Sequence, residues 1–135
     1  MIHIGHDVVH IVDFRQQIAD GASRFVQGTF TEHELATARG RPGTDLARHL
    51  AVRFAAKEAF VKAWSVSRWG KPPVIARAKL REIEVRSDHW GRPSLTLSGQ
   101  LADLLGPVQI SVSLSHDGPM ASATVLLTIA SEPKA

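Results

Sequence analysis

Leu46, Leu50 and Phe54 recur every fourth residue, and Glu58 and Lys62 continue the step, so one stripe of a helix turns from apolar to charged along its length. That stripe belongs to a long, half-buried helix. Thr44 or Asp45 is placed to cap its start, and Gly70-Lys71-Pro72-Pro73 to end it. Ahead of it, Ile2, Ile4, Val8 and Val9 predict a strand over residues 2 to 9, with Ile2, Ile4 and Val8 seeking burial. A short helix follows from about Val12 to Asp20, stopped by Gly21. Thr31-Glu32-His33-Glu34 has the form of a capping box, which starts another helix that fades before the surface loop Gly40-Arg41-Pro42-Gly43. After the long helix the period changes to two. Leu80, Ile83 and Val85, then Leu95 and Leu97, then Val108, Ile110, Val112 and Leu114, then Ala121 through Ile129 on alternate positions, predict strands. They turn at Trp90-Gly91-Arg92-Pro93 and Asp117-Gly118-Pro119, and a short helix from about Ser98 to Leu105 stands before Gly106-Pro107. The fold class is α+β, a long central helix packed against a mainly antiparallel sheet formed by the C-terminal half.

A chain of 135 residues fits one domain, 1–135, long enough to bury roughly two-thirds of its unfolded surface. It has no cysteine, which excludes a disulfide framework and a thiolate metal site. Any metal must therefore bind oxygen or imidazole. The start, Met1-Ile2-His3-Ile4-Gly5-His6-Asp7, lacks the basic region and apolar run of a signal peptide, and no stretch is long enough to span a bilayer. A soluble, cytoplasmic protein is expected. The formal charge of +3 can steer an acidic or phosphate-rich ligand, yet is too small to argue for nucleic acid.

Chemistry concentrates in few places. Asp7 lies in a strand whose neighbours are apolar, so its carboxylate needs a cation, a cap or solvent. Glu58 is flanked by Ala55, Ala56 and Ala59, which let a strand or ligand approach the helix; the plainer reading is an exposed Glu58 paired with Lys62. Two carboxylates and no thiols suit a hard divalent cation such as magnesium. His116 shares the parity of Val112 and Leu114 and is either a core-edge residue or an imidazole in a cleft shared with the helix. His3, His6 and His10 alternate strand faces, against shared coordination. Gly91 and Pro93 are turn residues, and the glycine also allows a close ligand.

Taken together, Ile4-Gly5-His6-Asp7-Val8-Val9, Phe30-Thr31-Glu32, the run from Arg53-Phe54-Ala55-Ala56-Lys57-Glu58 to Ala63, Gly91-Arg92-Pro93 and Val112-Ser113-Leu114-Ser115-His116 form an ordered set across nearly the whole chain. The chain resembles the holo-[acyl-carrier-protein] synthases, the short, single-domain class of 4′-phosphopantetheinyl transferases. The resemblance implies that Asp7 and Glu58 hold magnesium, or manganese in its place, against the diphosphate of coenzyme A. It implies that a carrier-protein serine attacks the β-phosphate, releasing adenosine 3′,5′-bisphosphate, in fatty acid biosynthesis. Glu58 is then the candidate base, Lys62 holds phosphate charge, His116 lies near the coenzyme, and Arg53, Gly91 and Pro93 line its pocket. The same resemblance implies a homotrimer with each site between subunits.

Three departures stand out. His6 precedes the aspartate where the family has a small or apolar residue, Ser65-Val66-Ser67 replaces glycines after the helix motif, and Asp13 stands where many bacterial members carry an arginine, with Arg15 nearby. The last points to a carrier domain of a type I fatty acid synthase as partner rather than a small free carrier. The rival classes are a non-enzymatic phosphate- or nucleic-acid-binding module using Arg53, Lys57 and Lys62, and a magnesium-dependent hydrolase on the same scaffold. Trp64, Trp69 and Trp90 are expected to pack at helix and turn ends, which argues against the binding module.

Overall fold

The computed structural model describes residues 1–21, 24–73 and 79–130. In chain order these form β1 (Ile2–His10), α1 (Ile11–Ala19), α2 (Phe25–Thr29), α3 (Glu32–Arg39), α4 (Leu46–Ser67), a 3-10 turn (Leu80–Glu82), β2 (Ile83–Ser87), β3 (Pro93–Leu97), α5 (Gly99–Leu105), β4 (Val108–Asp117) and β5 (Met120–Ile129). The α+β class and antiparallel pairing are as expected, but the sheet is not one. β1, β5 and β4 make a three-stranded sheet in the order β1-β5-β4, and β2 with β3 makes a separate hairpin. The N-terminal strand is thus an edge of the main sheet, with Asp7 opposite Ala123 and His116 opposite Ala121 on the other side of β5.

The capping box forms as its spacing requires: Thr31 Oγ1 accepts from the Glu34 backbone N–H at 3.1 Å, and Glu34 Oε1 accepts from the Thr31 N–H at 2.9 Å. Asp45, not Thr44, caps α4, its carboxylate accepting from Ala47 N at 3.1 Å. The five residues of α2 have no strong sequence signal. Phe25 on α2 packs edge-on to Phe14 and Phe54, with ring centroids 5.8 and 5.3 Å away, so tertiary contact supports this short turn of helix.

The face of α4 that meets the sheet is its alanine row, Ala51, Ala55, Ala59 and Ala63, all inaccessible to solvent. The Leu46–Lys62 stripe runs along the edge of that buried surface, with Leu46 exposed. Alanines there have a purpose that Gly5 reveals. A Cβ on Gly5 would overlap the Ala59 carbonyl oxygen and stand 2.6 Å from the Ala63 nitrogen, so β1 and α4 approach backbone to backbone. That approach turns the odd positions of β1, including Asp7, toward the helix. Ile2, Ile4 and Val8 consequently face away, 66%, 58% and 49% exposed, and the expectation of their burial fails for this chain alone. With Leu126 opposite Ile4, they form an uncovered apolar patch on the outer sheet face.

Candidate functional site

The close packing of β1 on α4 brings Asp7, Glu58 and Lys62 together. Lys62 Nζ donates to Asp7 Oδ1 at 2.8 Å, so the ammonium crosses to the strand instead of pairing with Glu58 along the helix. Asp7 is 14% exposed and Lys62 54%. Glu58 is half-buried, and its carboxyl is pushed up, first by burial and then by the negative charge of Asp7, with Lys62 opposing. Both carboxylates line a depression of about 440 Å³ with Val9, His10 and Phe54. Two hard oxygen donors whose charges repel fit a small divalent cation that keeps several ligands outside the protein. No cluster of three or more metal-ligating side chains forms among the described residues, the histidines of β1 included.

A second concavity, of about 530 Å³, lies where the start of α4, the β2–β3 turn and the end of β4 meet. Arg53, Gly91, Pro93 and His116 all line it. The turn is fixed by Asp88, whose Oδ1 accepts from the Trp90 and Arg92 N–H groups at 2.9 Å each, while Gly91 takes φ 84°. His116 keeps the predicted parity but is exposed, so it is a cleft residue rather than a core-edge one. Arg53 donates to the His49 carbonyl at 3.1 Å, and its guanidinium is held down to about 10 by burial and by Arg41. Among the described residues no ion pair neutralises Arg41, Arg48 or Arg53, and the one carboxylate in the lining, Asp45, is paired with Arg15, so the cavity is a cationic bowl.

The seven expected site residues therefore fall into two groups that do not share a cavity. Arg53 and Glu58 are five residues apart, which places them about 140° around the helix from each other. Arg41, Arg48 and His49 complete the bowl and escaped the sequence reading. The signal was the spacing of Arg48, His49, Val52 and Arg53, which puts all four on one helical face.

Lys57 corrects the binding-module reading. Its ammonium is buried and donates to Glu34 Oε1 at 2.8 Å, to the Leu80 carbonyl at 3.0 Å and to the Ile83 carbonyl, so it is unavailable to a surface ligand. The tryptophans divide: Trp64 is buried at the helix end, whereas Trp69 and Trp90 are 89% and 76% exposed, against expectation. Trp90 meets two neighbours in its own turn, the Arg92 guanidinium 5.1 Å from its ring centre and the His89 ring edge-on at 5.3 Å.

The family model of the 4′-phosphopantetheinyl transferase superfamily matches residues 3–126. The chain is 47% identical to a holo-[acyl-carrier-protein] synthase of Corynebacterium glutamicum over 96% of this chain and 99% of that one. It is 43% identical to the one of Mycobacterium tuberculosis H37Rv over 94% and 96%. Its fold is similar to that of the Chronobacterium ammoniagenes ACPS-CoA complex, with a TM-score of 0.87 at 40% identity, covering 97% of this chain and 99% of the other. The order of the motifs, the packing that gathers their residues and these likenesses converge: the chain belongs to the 4′-phosphopantetheinyl transferase superfamily, among its holo-[acyl-carrier-protein] synthases.

Proposed function

We propose that this protein, one domain over residues 1–135, transfers the 4′-phosphopantetheine arm of coenzyme A to a serine of an apo acyl carrier protein or carrier domain, releasing adenosine 3′,5′-bisphosphate. The observation that carries the reading is the convergence of Asp7 and Glu58 on one depression, with Lys62 bonded to Asp7 beside it and a cationic bowl elsewhere on the same helix.

Asp7 and Glu58 hold magnesium, which when bound neutralises charge on the diphosphate. Manganese can take its place. Lys62 lies within reach of the same oxygens and offsets the charge that grows on phosphorus as the serine Oγ attacks. Glu58, its carboxyl pushed up by burial and by the charge of Asp7, takes the serine proton. The P–O bond to the leaving adenosine 3′,5′-bisphosphate then breaks. Arg53, Gly91, Pro93 and His116 hold the nucleotide end of the coenzyme, which suits the unneutralised bowl.

The two concavities share no lining residue, and Arg53 and Glu58 point about 140° apart around α4, which supports a coenzyme held between two chains rather than within one. A homotrimer joins the depression of one subunit to the bowl of the next, and the uncovered patch of Ile2, Ile4, Val8 and Leu126 is the surface such copies would cover. On α1 the acidic Asp13 is exposed and Arg15 is tied to Asp45 by two hydrogen bonds of 3.0 and 2.7 Å. A docking face without a free arginine there supports a carrier domain of a type I fatty acid synthase as partner, and we infer that the reaction belongs to fatty acid biosynthesis in the cytoplasm. No helix among the described residues is long and apolar enough to cross a membrane.

Replacing Asp7 or Glu58 by alanine tests the reading: carrier modification should fall at least about a hundredfold with thermal stability held. His116→Ala should lose less. Full activity in either carboxylate variant refutes the assignment.

A further inference from the structure

His49 is 7% exposed and lines the cationic bowl, and its Nε2 is the one buried side-chain polar atom without a hydrogen-bond partner among the described residues. A buried nitrogen left unpaired costs stability, so its retention calls for a partner that arrives later. Arg53 directs its guanidinium to the His49 backbone carbonyl at 3.1 Å, not to the ring. Burial, then the charges of Arg53 and Arg41, bring the imidazole down to about 4, so the ring is neutral at physiological pH. A neutral ring with hydrogen on Nε2 is a donor. Arg41, Arg48 and Arg53 line the same cavity and make an anionic acceptor the fitting partner, and such a partner selects the tautomer with hydrogen on Nε2.

Resting on the transferase reading above, we propose that His49 is a coenzyme-binding residue whose Nε2–H donates to a phosphate oxygen of coenzyme A seated among Arg41, Arg48 and Arg53. The arginines supply charge; His49 supplies a directed, uncharged donor at the floor of the bowl. The phosphate is either the 3′-monoester or part of the diphosphate, and the two are separable by ligand choice.

The test compares the full-length protein with His49→Phe and His49→Gln by calorimetric titration of coenzyme A, dephospho-coenzyme A and adenosine 3′,5′-bisphosphate, alongside thermal unfolding without ligand. His49→Phe should weaken coenzyme A binding roughly ten- to hundredfold, the size expected for a hydrogen bond to a charged group. Its unliganded melting temperature should stay level or rise, because the orphan nitrogen is gone. His49→Gln, which returns an N–H near the same place, should recover part of the affinity. A loss confined to the two ligands bearing a 3′-phosphate assigns the contact to the monoester, and a loss shared by dephospho-coenzyme A assigns it to the diphosphate. Unchanged affinity for all three in a folded His49→Phe protein overturns the proposal while leaving the transferase reading intact; failure of the unaltered protein to bind coenzyme A overturns that reading itself. Should His49→Phe not fold, the imidazole ¹⁵N signals of the unaltered protein decide: a shift of the Nε2 resonance on adding coenzyme A supports the contact, and no shift refutes it.

Discussion

Lys57 Nζ lies 2.8 Å from Glu34 Oε1 with both side chains out of reach of solvent, joining α3 to α4 beneath the 3-10 turn and β2. Each charge is further satisfied: Glu34 accepts from the Thr31 and Val85 backbone N–H groups, and Lys57 donates to the Leu80 and Ile83 carbonyls. A buried pair of this kind offsets its own desolvation only while complete. The residue beside Glu58 in sequence is therefore architectural, aligning the helix that carries that glutamate.

Removing one partner should expose the imbalance. Lys57→Met leaves the Glu34 carboxylate buried and unpaired and should cost about 3–5 kcal/mol in urea unfolding. The double variant Glu34→Gln with Lys57→Met should cost less than the sum of the single changes. Additive costs would mean that the two charges are not coupled.

Asp45 contributes a pH-dependent part of the stability. Its pairing with Arg15, together with the backbone N–H groups of Arg48 and Ala47, outweighs desolvation and holds the carboxyl down to about 2. A depressed carboxyl contributes stability that is present above its unfolded value near 3.8 and lost as pH falls through about 2. The unaltered protein should therefore exceed Asp45→Ala by about 1–2 kcal/mol at pH 7, the usual worth of an N-cap, and the gap should narrow between pH 4 and pH 2. A gap independent of pH would remove the ion pair from the account.

The proposed sharing of a site between subunits predicts complementation. Asp7→Ala lacks the depression and Arg53→Ala weakens the bowl, and neither alone should modify a carrier well. Mixed and reassembled, some interfaces would join an intact depression to an intact bowl, and activity should return to a fraction of the unaltered level. Ile4→Lys, on the uncovered face, should yield monomers by light scattering and abolish transfer. Activity in such monomers would place the complete site in one chain.

Local signals were legible where chemistry is local. The capping box at Thr31, the turn at Gly91 and the alternating strands β4 and β5 all follow from neighbours in sequence, and the helix boundaries fall within a few residues. The motif residues were legible as a set, yet their division into two concavities was not, because it depends on which way β1 turns against α4. That is decided by Gly5 and the alanine row, whose small side chains draw the backbones together and send Ile2, Ile4 and Val8 outward. Hydrophobicity alone pointed the other way. The pairing of Lys57 with Glu34 spans 23 residues and has no periodic signature, so the lysine read as a surface cation. The exposure of Trp69 and Trp90 is of the same kind: an aromatic ring near a turn is buried only if another element covers it.

The measurement closest to the central claim is the intact mass of an apo carrier domain excised from a type I synthase, and of a small free carrier, after incubation with this protein, coenzyme A and magnesium. The account predicts a gain of one phosphopantetheine on the carrier domain, faster than on the free carrier, absent with a chelator and absent with Asp7→Ala. No gain on either carrier while coenzyme A still binds, or a gain that survives the chelator, would contradict it.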